Sequence, residues 1–242
     1  MAVILGGNDT LPQITLTQSQ TWVPPQDGNI CIHVIGAGGA GQSATNSLRS
    51  GGAGGYSKKN SLAVTTSGSY TVVVGVGGPR TRNGSTPSSG GNSTVAGTGL
   101  SATLTANGGG GANATSALSN SGTGGTASGG DVNNTGGKGG SSDGGGAVGV
   151  YGTGATGVSN IRSGQSDASG GGLPMSGFGH IVGGNAGAFQ YGAGPQTGGG
   201  HVNAGDLSGG GAVEGSGTVT YHVGGNGGIG GGGGGTAVVQ GA

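Results

Sequence analysis

Gly36-Ala37-Gly38-Gly39-Ala40-Gly41 spells the G-x-G-x-x-G pattern directly after an apolar run. Such glycines cradle a pyrophosphate when they join a strand to a helix and an acidic residue follows roughly 20 positions on. Here Gln42 to Ser50 leads back into glycine, and no Asp or Glu occurs between Asp27 and Asp131. In a chain with 71 glycines among 242 residues, the pattern is a product of composition. His33, His180, His201 and His222 share no metal-ligand spacing. Gly215-Ser216-Gly217 lacks the flanks of a nucleophile elbow, and Gly164-Gln165-Ser166-Asp167 lacks its closing glycine. Cys31 is the single cysteine, which excludes an intrachain disulfide. The expectation is a protein without catalysis, cofactor or metal.

Binding chemistry is better represented. Tyr151, Phe178, Phe189, Tyr191 and Tyr221 stand beside glycine tracts or on a late apolar run, and His180 lies two residues from Phe178. Each aromatic either caps a packed glycine layer or sits at a loop tip. Tyr among Asn, Ser and Gly is the composition of binding loops, and ring faces stack on sugars. Arg49, Lys58, Lys59, Arg80 and Arg82 form a basic group that suits docking to an acidic partner. Those five cations less Asp9 and Asp27 leave the first half at +3. Lys138 and Arg162 less five acids leave the second half at −3. This imbalance is too mild to imply nucleic acid.

The elements that must position these residues are unusual. Charged residues make up 6% of the chain and aromatics 3%, too few for an ordinary core of this size. Glycine instead recurs in tracts, most densely from Asn107 to Ala242. There is no Gly-X-Y period and little proline, so collagen is excluded. Disordered linker is the plain alternative. Apolar residues spaced between the tracts favour a bundle of extended three-fold helices, polyproline II in shape. With no Cβ, neighbouring backbones close to hydrogen-bonding distance.

Before the dense tracts, alternation predicts strands at Ile14–Thr17, Ile30–Ile35, Leu62–Val64 and Tyr70–Val74, with one or two more in Val95–Ala106. Thr66-Ser67-Gly68 predicts a hairpin between the third and fourth of these. Residues 79–91 read as a loop, and Gly6–Asp9 as a turn in a short lead. Thr218–Val223 reads as a late strand, and Ala237–Val239 as a closing one. The fold class is therefore an all-β sandwich followed by a polyglycine-II sandwich, with no α-helix of note. The expected divisions are 1–13 as an attachment arm, 14–106 as the β-sandwich and 107–242 as the glycine-helix bundle. No signal peptide, membrane run or lipidation motif is read, so synthesis in a cytoplasm is expected.

The run Ile14-Thr15-Leu16-Thr17-Gln18-Ser19-Gln20-Thr21-Trp22-Val23-Pro24, then Ile30–Ile35 with its glycines, resembles the glycine-rich domain of bacteriophage tail fibres. Val74-Gly75-Val76-Gly77-Gly78 matches that domain's hairpin ending. The likeness covers about 14–111. The second half is similar in composition to phage adhesins built as polyglycine II sandwiches with variable connectors. The chain departs from fibre proteins in having no shaft. The resemblance implies a virion protein, made in the host cytoplasm, that serves as a fibre or fibre-tip adhesin. It implies partners among other virion proteins (shaft, tail or capsid) and a host receptor, either a glycan or an outer-membrane protein. Oligomeric state is open, a homotrimer included. The alternative is a structural component such as a head decoration or head fibre. Ice binding would also use glycine-rich helices, but it would want a flat Thr-rich face.

Overall fold

The computed structural model describes residues 3–7, 14–45, 47–79, 87–112, 121–140, 144–146, 148, 152–154, 156–157, 196–197, 213–214, 220–221 and 236–239. Its described part is all-β, and no helix occurs among the described residues.

Two antiparallel sheets form a sandwich. The first is ordered β12 (Val132–Asn134), β7 (Tyr56–Val64), β4 (Gly28–Ile35), β1 (Val3–Gly7) and β2 (Ile14–Leu16). The second is ordered β11 (Ala127–Ser128), β10 (Leu104–Ala106), β9 (Ser93–Gly97), β8 (Tyr70–Val73) and β3 (Gln20–Trp22). Period-two alternation puts one face of each strand inward. Leu16, Ile30, Ile32, Val34, Leu62 and Val64 meet Tyr70, Val72, Val95, Leu104 and Ala106 in one buried core. Trp22 stacks at a tilt on Tyr70 with ring centroids 5.6 Å apart. The β11–β12 turn crosses between the sheets and closes one side, with Gly129 at φ +84°.

Three sequence expectations change. The strands around Thr66–Gly68 do not pair with each other. β7 pairs with β4 and β12, while β8 pairs with β3 and β9. Their apolar faces oppose one another across the core, and alternation is the same in either arrangement. Val3–Gly7, within the stretch read as an arm, is a strand between β2 and β4, so Gly6 and Gly7 are not in a turn. Residues 87–91, within the stretch 79–91 read as loop, bond into the glycine tracts, as do residues 75–78 before it.

The glycine tracts leave one end of the sandwich and pack side by side. The Gly36 and Gly39 amides donate to Gly55 and Gly52, while those of Ala37 and Ala40 donate to Gly91 and Ser88. Gly109 and Ala112 donate back to Ala37 and Ala40. Bonds to one neighbour therefore recur every third residue, as a helix with about three residues per turn requires. Tract 50–55 is the hub. It bonds to tract 36–39, to 107–110, to 122–125, to 137–140 and to Gly145, and all its residues are buried. Glycine is obligatory where backbones touch. A Cβ on Gly36 would overlap the Asn107 carbonyl, and one on Gly124 the carbonyl of Gly136. Tracts from both sides of residue 107 share this lattice, so the boundary expected at 106/107 runs through it.

Candidate functional site

Chain direction gives the lattice two unlike ends. β4 feeds tract 36–41 and tract 50–55 feeds β7, so segment 42–49 turns at the end remote from the sandwich. By the same alternation, Gly78 and Ser88 bond to Gly38 and Ala40 near that end, where segment 80–86 begins and finishes. Tracts 107–112 and 121–126 place the ends of segment 113–120 there, and 135–140 with 144–146 do so for 141–143. The three latter segments lie outside the described residues. Segments 42–49 and 80–86 carry Ser, Thr, Asn and Arg, 113–120 carries Ser, Thr and Asn, and 141–143 is Ser-Ser-Asp, a polar composition suited to hydrogen-bonded recognition.

A third, mixed sheet forms on segment 42–49. β5 (Gln42–Thr45) and β6 (Ser47–Arg49) make a hairpin. β16 (Thr236–Val239) joins β5 in parallel, followed by β14 (Val213–Glu214) and β13 (Gln196–Thr197), and β15 (Thr220–Tyr221) pairs with β16. The expected closing strand, Ala237–Val239, thus returns to the first-half hairpin.

This separates the residues singled out in the sequence. Arg49 belongs to the third sheet, whereas Lys58 and Lys59 lie on β7 in the sandwich. The Lys59 ammonium is 2.7 Å from an Asp131 carboxylate oxygen. The other Asp131 oxygen accepts the Asn60 amide at 2.8 Å. Asn60 sits at the bulge where β7 slips against β4 between Ile30 and Ile32. Those two bonds, the Lys59 ammonium first, hold the Asp131 carboxyl below its usual range. Arg80 and Arg82 lie outside the described residues. Tyr151, Phe178, His180, Phe189 and Tyr191 also lie outside them.

The outer face of the first sheet carries a constellation the sequence did not flag. The Tyr56 hydroxyl and His33 Nδ1 are 2.7 Å apart, and His33 Nε2 is 3.2 Å from Cys31 Sγ. Alternation along Ile30–Ile35 put Cys31 and His33 on one face, but Tyr56 comes from β7 opposite Ile35. Burial, more than nearby Lys58, lowers the His33 imidazole. Burial raises the Cys31 thiol, against the pull of Lys58, and raises the Tyr56 phenol. All three are therefore neutral near pH 7, a hydrogen-bonded chain rather than an activated thiolate. Ile35, Tyr56 and Val148 pack over its lower end. Among the described residues no group of three or more His, Cys, Asp or Glu forms a metal cluster.

A family model described as a glycine-rich domain matches residues 14–242. No curated protein and no solved structure matches the chain.

Proposed function

We propose that this chain, which belongs to the glycine-rich domain family, is a bacteriophage fibre or fibre-tip protein whose lattice end contacts a host surface receptor. The observation that carries this reading is the polarity of the lattice. Tracts alternate in direction, so segment 42–49 and the ends of 80–86, 113–120 and 141–143 gather at one end, and the sandwich occupies the other. Backbone bonds hold those ends without help from the connecting sequences, which leaves the connectors free to vary. A rigid scaffold presenting short polar segments is the usual architecture of recognition. The sandwich end then meets other virion proteins. The resemblance of Ile14–Pro24 and Ile30–Gly41 to tail-fibre glycine-rich domains supports the same assignment.

The test is binding of the fluorescently labelled full chain to intact bacteria, paired with antibody labelling of particles in electron micrographs. Saturable cell binding and label at tail tips are expected. Label spread over the capsid, with no cell binding, would establish the structural decoration alternative.

A further inference from the structure

We infer that Asn107-Gly108 is a self-modifying deamidation site that the folded lattice holds shut, so that only chains with open tracts convert there. The site acts whatever the lattice end binds. Asparagine before glycine is open to this reaction because glycine has no side chain to shield its nitrogen. The Gly108 nitrogen gives its proton to water and bonds to Asn107 Cγ. The Cγ–Nδ2 bond breaks, that nitrogen leaves as ammonia, and a cyclic succinimide remains. Water then opens the ring at Cγ to give aspartate, or at the backbone carbonyl to give isoaspartate. Water is the only co-reactant.

The fold holds the two reacting groups apart. Asn107 directly follows β10, Asn92 directly precedes β9, and Thr126 directly precedes β11. β10 lies between β9 and β11 in the second sheet. All three side chains therefore stand where neighbouring strands meet the tracts. The Asn107 side-chain amide donates to Thr126 Oγ1 at 2.8 Å, on the β11 side. The Gly108 amide donates to Asn92 Oδ1 at 2.9 Å, on the β9 side. Electrophile and nucleophile are thus drawn to opposite neighbours. The proton that must leave Gly108 is held by an amide oxygen, an acceptor too weak to remove it. The backbone is fixed as well. The Asn107 amide donates to the Thr126 carbonyl and its own carbonyl accepts from Gly55, both at 2.8 Å. Asn92 and Thr126 are exposed, so the restraint is geometry and not exclusion of water.

Conversion to isoaspartate is one-way. The chain then runs through Cβ and Cγ and is longer by a backbone atom. The former backbone carbonyl, which accepts the Gly55 amide, becomes a carboxylate side group. Gly109 and Gly110 fall out of the three-residue step that brings them to Ala37 and Gly52. A chain left open long enough to convert is barred from closing its hub.

The test holds the full chain at mildly alkaline pH, folded or in urea, and maps deamidation by site with mass spectrometry. The sequence has three Asn-Gly pairs, Asn83-Gly84, Asn107-Gly108 and Asn226-Gly227. In urea all three should convert at similar rates. Folding should slow Asn107 by about a hundredfold, roughly tenfold for each of the two side-chain bonds. Asn92→Ala and Thr126→Val should each restore about tenfold in the folded chain. Should one of them fail to fold, the other reads the same lock. Tyr70→Phe, which removes a hydroxyl bond to Thr98 at the far end of the sandwich, should leave the rate unchanged. After dilution from urea, isoaspartate at position 107 should be missing from the folded fraction. Conversion of Asn107 as fast in the folded chain as in urea would overturn the lock, as would wild-type rates in both variants. Equal acceleration by Tyr70→Phe would trace the effect to global opening and overturn it too. Isoaspartate at position 107 in refolded chains would overturn the one-way step.

Discussion

The Gly52 amide donates to the Gly110 carbonyl at 2.9 Å, and three residues later the Gly55 amide donates to Asn107 at 2.8 Å. Residues 58 and 52 positions apart in sequence are thus locked in the antiparallel register of two three-fold helices. Gly52 also lies against Thr123, whose carbonyl oxygen occupies the space a Cβ would need. Glycine here is a packing residue, and its bonds are the core.

Substitution should therefore discriminate between tract positions that look alike in sequence. Gly52→Val must separate the hub from tract 122–126 and orphan buried N–H and C=O groups, at about 1–3 kcal/mol each. Gly139→Val acts alike, because its Cβ would overlap the Ser50 carbonyl. Gly77 is exposed and nothing lies near its added Cβ. We expect chemical denaturation to show losses of ~3 kcal/mol or more for the first two, and within about 0.5 kcal/mol for Gly77→Val. Equal tolerance at all three positions would contradict close backbone packing.

Removal of residues 1–13 takes out a strand from within a sheet. Val3 pairs with Val34 and Leu5 with Ile32, both core positions. Without β1, β4 and β2 lose their common partner. The truncated chain should lose about 3 kcal/mol or more. A truncated chain as stable as the full one would show β1 to be dispensable and restore the reading of this stretch as a separate arm.

Acid should weaken the first sheet through His33. Its imidazole is lowered below the usual 6.5 by burial first and Lys58 second. The unfolded chain therefore takes up the proton before the folded one does. Stability is complete above the ordinary value and declines as pH falls through it toward the lowered folded value. Melting temperature should drop between about pH 7 and pH 5, and His33→Gln should flatten that slope. An unchanged slope in His33→Gln would assign the effect to other groups, Asp131 titrating only at lower pH.

Much of the sandwich was legible because alternation is a local property. Ile30, Ile32 and Val34 announced β4, and Tyr70 and Val72 announced β8. Pairing is not local. Leu62–Val64 and Tyr70–Val72 fit a hairpin and a pair of facing sheets equally well, and only the whole fold decides. Residues 79–91 read as loop because Pro79, Pro87 and the serines signal turns, yet Ser88 and Gly91 accept bonds from Ala40 and Ala37. Tract 36–41 lies nearly fifty residues from them, and glycine carries no side-chain pattern to reveal a partner. The third sheet was illegible for the same reason, because β5 and β16 are paired across nearly the whole chain.

Amide hydrogen exchange tests the lattice most directly. If the tracts form one bonded unit, the Gly52, Ala53 and Gly55 amides should exchange only on global unfolding, as slowly as Ile32 in the core. Gly109, Gly122, Gly125 and Gly136 should follow closely, while the Gly77 amide should exchange at nearly the rate of an open chain. Uniformly fast exchange across residues 36–55 and 107–140, with the sandwich still protected, would contradict the lattice and with it the rigid end on which the proposed recognition depends.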